Sequence, residues 1–193
     1  MTFQNKLVVL DRDGVLNHHS KYYIKNVKEF KLYKNSALIM SKFYKLGYKV
    51  AIATNQSAVD RKILKFKTLK KIHQILVNET KKFRGKIFHI AVCPHHPHKN
   101  CTCRKPKTGL LEEIENKSRF KFTEKWLIGD NISDLIAGNK KQFNLILVKT
   151  GLGKISLKLI NENSHYDYLN FSTCEDLHEA FQLITKKINL KYL

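Results

Sequence analysis

The stretch "KLVVLDRDGVLN", residues 6–17, passes from four consecutive apolar side chains straight into two acids and a glycine. Leu7, Val8, Val9 and Leu10 read as a short strand buried on both faces. Asp11 and Asp13 lie two apart, so an extended backbone aims both the same way, and Gly14 lets the chain turn close to a bound group. Either these acids are the solvated end of a strand, or the strand delivers two carboxylates to one point.

The flanking sequence alternates between strand and helix. Residues 35–47 carry apolar positions at helical spacing, opened by Asn35 or Ser36 as cap and closed by Gly47. "YKVAIATN" (48–55) reads as a second strand, and a helix rich in Leu69, Ile72, Leu76 and Val77 spans roughly 65–83. Further strands are expected at 86–92, 125–130 and 144–151, with helices at 109–117, 133–143 and, terminally, 174–188. Strands that are apolar throughout, separated by helices, predict an α/β fold with a doubly wound parallel sheet covered on both faces. In such sheets ligands gather beyond the carboxyl ends of the strands. Three strand ends here carry chemistry: "VVLDRDG", "AIATNQS" and "LIGDNISD". One Asp after a strand is an ordinary turn former, but three polar ends in order favour a site.

A chain of 193 residues supports one domain with a full core, so residues 1–193 are read as a single domain. No run approaches the length of a membrane span, and the N-terminus runs directly into charge, with no secretion signal. Four cysteines without an export signal suggest a reducing compartment, so a cytoplasmic protein is expected, with metal binding favoured over disulfides. The formal net charge of +20 raises the question of a polyanionic partner. Only five of the 36 basic residues are arginines, however, and the lysines are dispersed, so nucleic acid is not the expected partner. No membrane partner is expected, and the chain is read as a monomer.

"CPHHPHKNCTC" forms a second constellation. Cys93, His95, Cys101 and Cys103 supply three thiolates and an imidazole, a set that closes a tetrahedral structural zinc site. His96 and His98 compete as the imidazole ligand; His95 is preferred by position. A loop over 93–108 without secondary structure needs such a staple. Cys174, placed in the terminal helix, is read as a buried free thiol.

"DRDGVLN", "TNQS", "CRKP" and "GDNISD" together resemble the four motifs of the haloacid dehalogenase superfamily of phosphatases, over the chain up to about residue 153. "DRDGVLN", "TNQSAVDR" and "CPHHPHKNCTCRKPKTG" resemble, more narrowly, the bacterial D-glycero-D-manno-heptose 1,7-bisphosphate phosphatases. The resemblance implies a Rossmann-like fold with a minimal cap and the zinc-stapled loop. It implies Asp11 as nucleophile, forming an aspartyl-phosphate, and Asp13 as general acid and base. Mg²⁺ would be held by Asp11, the Asp13 carbonyl and Asp130, with Asp134 orienting Lys105. Thr54, the amide of Asn55 and Lys105 would neutralise the phosphoryl oxygens. Zinc on Cys93, His95, Cys101 and Cys103 would be structural, positioning Arg104 and Lys105.

This chain also departs from that pattern. Where the heptose phosphatases read TNQSG and then ARG, it has Ala58, Asp60, Arg61 and Lys62, and its zinc loop carries "HKN" where relatives often have an acid. Arg61 and Arg104 are the arginines placed to meet a second phosphate of a small phosphorylated sugar. Histidinol-phosphate phosphatases share the zinc loop but tend to read TNQDG; their substrate's ammonium would be repelled by two arginines unless Asp60 intervened. A nucleic-acid 3′-phosphatase of the same superfamily, and a non-catalytic zinc module, are the other classes weighed. The last would have no use for Asp11, Asp13, Lys105 and Asp130 together.

Overall fold

The computed structural model describes residues 5–190. The opening stretch forms β1 (Lys6–Leu10), and its alternation settles the layers: Val8 and Leu10 pack into one core, Leu7 and Val9 into another. β2 (Tyr48–Asn55), β4 (Glu124–Gly129) and β5 (Asn144–Val148) divide their side chains the same way. With β3 (Ile87–Cys93) and β6 (Ser172–Cys174) they make a six-stranded sheet in the order β3-β2-β1-β4-β5-β6, every pairing parallel.

Helices cover both faces. α1 (Ser36–Lys45), α2 (Phe66–Lys82) and α6 (Leu177–Leu190) line one core with Ile39, Met40, Phe43, Leu69, Ile72, Leu76, Ala180 and Ile184. α3 (Gly109–Asn116), α4 (Ile132–Lys140) and α5 (Gly153–Asn161) line the other with Leu110, Leu111, Ile114, Leu135 and Ile160. The chain winds outward from β1 to β3, crosses back to β4, and winds out the other way. β1 and β4 are therefore neighbours at the point where strand order reverses, which is where such sheets open a crevice. Among the described residues no helix is long and apolar enough to cross a membrane.

Two elements differ from the sequence reading. The segment assigned to the start of the terminal helix is β6, so Cys174 lies in an edge strand, buried and with a free thiol, and its carbonyl accepts from Lys149 N (2.8 Å). The helix begins only at Leu177, after Asp176 has capped Glu179 N (2.9 Å). α5 was not anticipated; its buried Ser156 and Ile160 are too few to register as a stripe. Asn35 stands at the N-cap of α1 but in the left-handed region (φ 69°), with no side-chain capping bond. Gly47 closes that helix at φ 84°, as a glycine after a C-cap does.

Candidate active site

Three strand ends converge beyond the sheet. Asp11 follows β1, Thr54 and Asn55 end β2, and Asp130 follows β4; all four line one cleft of about 580 Å³ with Asp13, Arg61, Arg104, Lys105 and Asp134. Asp11, Thr54, Lys105, Asp130 and Asp134 are buried. The cleft thus gathers every residue expected at the chemical centre, together with both arginines expected at the second phosphate.

Lys105 is the hub. Its Nζ donates to Asp11 Oδ1 and to the Ala53 carbonyl (both 2.7 Å) and pairs closely with Asp134. Burial alone would strip its proton, but the charges of Asp11 and Asp134 outweigh that and raise its pKa, keeping an ammonium in the site. Asp134 also accepts from Asn131 N (3.1 Å), closing the capping box of α4. It therefore meets Lys105 from a helix N-terminus. Burial, with Asp134 and Asp13 adding to it, pushes Asp11 up to about 7 against the opposing pull of Lys105. Burial, then Asp11 and Asp134, push Asp130 up to about 8.

Asp11, Asp130 and Asp134 bring carboxylate oxygens within 4.8 Å of one another. Three buried acids sharing one lysine are short of positive charge, and oxygen donors of this kind suit a hard cation such as Mg²⁺. The approach of Asp130 explains a glycine: Gly14 sits at φ 92°, and a Cβ there would collide with Asp130 Oδ2. Leu152 N donates to the same oxygen (2.8 Å), and Ser156 Oγ to the Asp130 carbonyl (2.9 Å), so α5 braces the acid from behind.

Asp13 is held by a different set. Arg12, whose side chain is fully buried, donates Nη2 to both its oxygens (2.9 and 2.8 Å) and Nε to Oδ1 (3.2 Å). Asn17 Nδ2 and Gln56 Nε2 add bonds of 2.8 and 2.7 Å. Burial opposes the charge on Asp13, but Arg12 and these hydrogen bonds prevail and hold its pKa below the usual carboxylate value. Gln56 also donates to Thr54 Oγ1 (2.8 Å), tying the second strand end to the first. Arg12, Asn17 and Gln56 lay inside the motifs but received no role from sequence. Their function as a clamp depends on contacts that motif spacing does not encode.

The thiol cluster assembles as expected. Sγ of Cys93 lies 3.6 Å from that of Cys101 and 3.7 Å from His95 Nδ1; Cys103 Sγ lies 3.4 Å from Cys101 and 3.2 Å from His95. Tetrahedral zinc with Zn–S near 2.3 Å requires ligand edges of about 3.7 Å, so these four residues fit a zinc ion, with His95 the imidazole that lies among the thiols. His96 and His98 stack on each other instead, centroids 4.6 Å apart. Cys93 ends β3, and a short 3₁₀ turn, Pro97–Lys99, interrupts the loop expected to be irregular.

Two placements change the expected roles. Asn55 spends its side chain on the Lys105 backbone, accepting from N (3.2 Å) and donating to O (3.1 Å). It thereby pins the end of the thiol loop over the cleft. Asp60 does not face the cleft: it accepts from His96 N (2.9 Å) and pairs with Lys99 Nζ (2.9 Å). Arg61 turns inward with Tyr23, its guanidinium 5.8 Å from that ring, beside Lys21 at the rim.

Paired acids beyond β1, a buried lysine from a distant loop and an acid beyond β4, on this strand order, define a phosphatase of the haloacid dehalogenase type. A family profile described as "Polynucleotide kinase 3 phosphatase" matches residues 6–150. The chain is 38% identical to the D-glycero-beta-D-manno-heptose-1,7-bisphosphate 7-phosphatase of Pseudomonas putida over 153 residues, 79% of this chain and 87% of that one. It is 36% identical to the namesake in Neisseria meningitidis serogroup A over 160 residues, 83% and 84% of the two chains. The crystal structure of D,D-heptose 1.7-bisphosphate phosphatase from B. bronchiseptica, complexed with magnesium and phosphate, superposes with a TM-score of 0.85 at 29% identity, covering 94% of this chain and 99% of that one. The chain belongs to the family of these heptose-bisphosphate 7-phosphatases.

Proposed function

We propose that the protein hydrolyses the 7-phosphate of D-glycero-β-D-manno-heptose 1,7-bisphosphate and leaves the 1-phosphate in place. The observation that carries this reading is one cleft with two differently built cationic regions. At its floor Lys105 sits among acids, and at its rim stand Arg61, Arg104 and Lys21, with Asp60 turned away to His96 N and Lys99. A bisphosphate needs both: one phosphate at the reacting centre and one held by a guanidinium fork. The β-configuration follows the names of the two relatives.

In the mechanism that fits, an Asp11 oxygen attacks phosphorus and the bond to the sugar oxygen breaks. Asp13 gives that oxygen its proton. Water then attacks the aspartyl-phosphate, Asp13 takes the water's proton, and inorganic phosphate leaves Asp11. Arg12 keeps Asp13 ionised before substrate arrives; the approaching phosphate dianion raises its proton affinity, so Asp13 takes a proton from solvent and enters the first step as an acid. Lys105, Thr54 and the main-chain amide of Asn55 receive the phosphoryl oxygens. Mg²⁺, held by Asp11, the Asp13 carbonyl and Asp130, would supply charge neutralisation at those oxygens. Zinc on Cys93, His95, Cys101 and Cys103 would keep Arg104 and Lys105 in register. The free thiols fit a cytoplasmic enzyme, here read as one domain acting as a monomer.

A histidinol-phosphate specificity loses support because Asp60, the acid that the sequence offered to meet an ammonium, instead accepts from His96 N and pairs with Lys99. The test compares kcat/KM on the heptose bisphosphate, fructose 1,6-bisphosphate, histidinol phosphate and a 3′-phosphorylated oligonucleotide, with Arg61→Ala beside the native chain. The heptose should lead, and Arg61→Ala should narrow its lead. A better turnover of histidinol phosphate or of the oligonucleotide sinks the substrate assignment.

A further inference from the structure

His73 lies on α2, outside every sequence motif and without a part in the chemistry above. It is half-buried, and its Nε2 stands 3.3 Å from Arg12 Nη1. Burial first, and the Arg12 charge second, pull its pKa down to about 3, so the ring is neutral. A neutral imidazole facing a guanidinium can only accept, which puts its own proton on Nδ1.

The guanidinium is a rigid planar fork, so an acceptor on Nη1 fixes the plane in which Nε and Nη2 meet Asp13. The Phe30 ring, 5.8 Å from the Arg12 carbon, closes another side of the pocket. Without an acceptor at His73, the buried Nη1 hydrogens would lose a partner, a costly condition that favours rotation toward other oxygens. Any such rotation breaks the forked contact with Asp13.

The geometry assigns His73 a positioning role: by accepting from Arg12 Nη1 it sets the guanidinium plane and thereby fixes the Asp13 carboxylate for proton transfer. This inference rests on Asp13 as the proton donor to the departing sugar oxygen. A leaving group that needs no proton therefore separates it from a merely structural contribution. p-Nitrophenyl phosphate is such a substrate, because its phenolate departs unaided.

The experiment measures kcat and KM of His73→Leu and His73→Gln on the heptose bisphosphate, and the single-turnover release of nitrophenolate from p-nitrophenyl phosphate, which reports the first step before Asp13 acts as base, with thermal unfolding as a check on folding. His73→Leu should lower kcat on the sugar by about tenfold or more, with KM and the nitrophenyl rate within about twofold. His73→Gln, which offers an amide oxygen as acceptor, should recover most of the loss. In an Asp13→Asn background, His73→Leu should cost nothing further, since both changes remove the same function. Equal losses on both substrates, no loss on the sugar, or no recovery with Gln overturns the role. Should the Leu variant fail to fold, His73→Met, which fills the space without a comparable acceptor, is read by the same criteria. Asp13→Asn alone reports on the underlying reading. If it does not separate the two substrates, the general acid is misassigned. If it does and His73→Leu does not, only the positioning role falls.

Discussion

The loop that carries the thiols presents two lysines to aspartates in opposite surroundings. Lys105 meets Asp11 and Asp134 with side chains 2%, 12% and 1% exposed; Lys99 meets Asp60 at 59% and 21%. Desolvating the inner group is expensive, and an apolar replacement of similar volume would be as stable or more so, so its persistence points to chemistry. The outer pair sits in high dielectric, where two long side chains gain little from one fixed geometry. The inner contact therefore suits the chemistry proposed above, and the outer one the shape of the rim.

The comparison breaks most severely at the inner group. Lys105→Met should leave Asp11 and Asp134 buried without their cation, destabilising the metal-free protein by about 3–5 kcal/mol at neutral pH. Turnover should fall by two orders of magnitude or more, the scale of losing one electrostatic partner of the transition state. Asp11→Asn should abolish turnover while its unfolding midpoint stays near the native value, because the amide keeps the shape and cannot attack. Urea unfolding beside single-turnover assays checks both. A near-native rate for either variant would remove the chemistry from this cleft.

Next in size comes the metal that the thiol cluster is built to hold. Cys103→Ser should lower bound zinc from about one per chain, measured by elemental analysis, and loosen the loop that brings Lys105 to Asp11. Activity should fall with kcat and KM both affected, since Arg104 moves with the loop. A zinc-free native protein with full activity would show that the four ligands meet for another reason.

Protonation sharpens the inner site further. Asp11 and Asp130 have folded pKa values raised to about 7 and 8, so the metal-free fold binds more protons than the unfolded chain between the ordinary carboxylate value and those figures. Their contribution favours the fold at low pH and is lost as pH rises through 7 to 8. A cation needs the ionised forms, so thermal stabilisation by Mg²⁺ should be largest near pH 8.5 and shrink as pH falls through about 7. Differential scanning with and without Mg²⁺ at several pH values measures it. A Mg²⁺-induced shift that grows toward acid would contradict the assignment of these carboxylates.

The two regions were unequally legible in the sequence. The inner site could be read because its residues are fixed by strand ends: "VVLDRDG", "AIATN" and "LIGD" each place a side chain by the simple rule that strands stop at the crevice. The same rule gave the parallel sheet from Leu7, Val8, Val9 and Leu10. It missed β6 because a three-residue edge strand of Ser172, Thr173 and Cys174 has no periodicity to detect. It missed the clamp on Asp13 because Arg12, Gln56 and His73 meet only through tertiary packing. At the rim, Asp60 looked like a substrate contact. Only the folded loop reveals that His96 and Lys99 reach it first.

That rim contact yields the smallest and most specific prediction. Asp60 and the "HKN" of residues 98–100 are two of the departures noted in the sequence, beside Ala58 and Lys62, and the structure brings these two together: Lys99 pairs with Asp60. A basic residue on the thiol loop thus meets an acid on the loop after β2. The contact also sits beside Arg61, and His96 N donates to the same carboxylate, so it fixes how the two loops flank the rim. Asp60→Ala and Lys99→Ala should each leave kcat on p-nitrophenyl phosphate unchanged and raise KM for the bisphosphate by a factor of about two to five, as befits an exposed pair. The effect should fade in high salt, whereas the inner group should not respond. In the double variant the losses should not add, because either change alone dissolves the same contact. Additive losses would mean that Asp60 and Lys99 touch the substrate separately, and the rim would then be a binding surface in its own right rather than a latch.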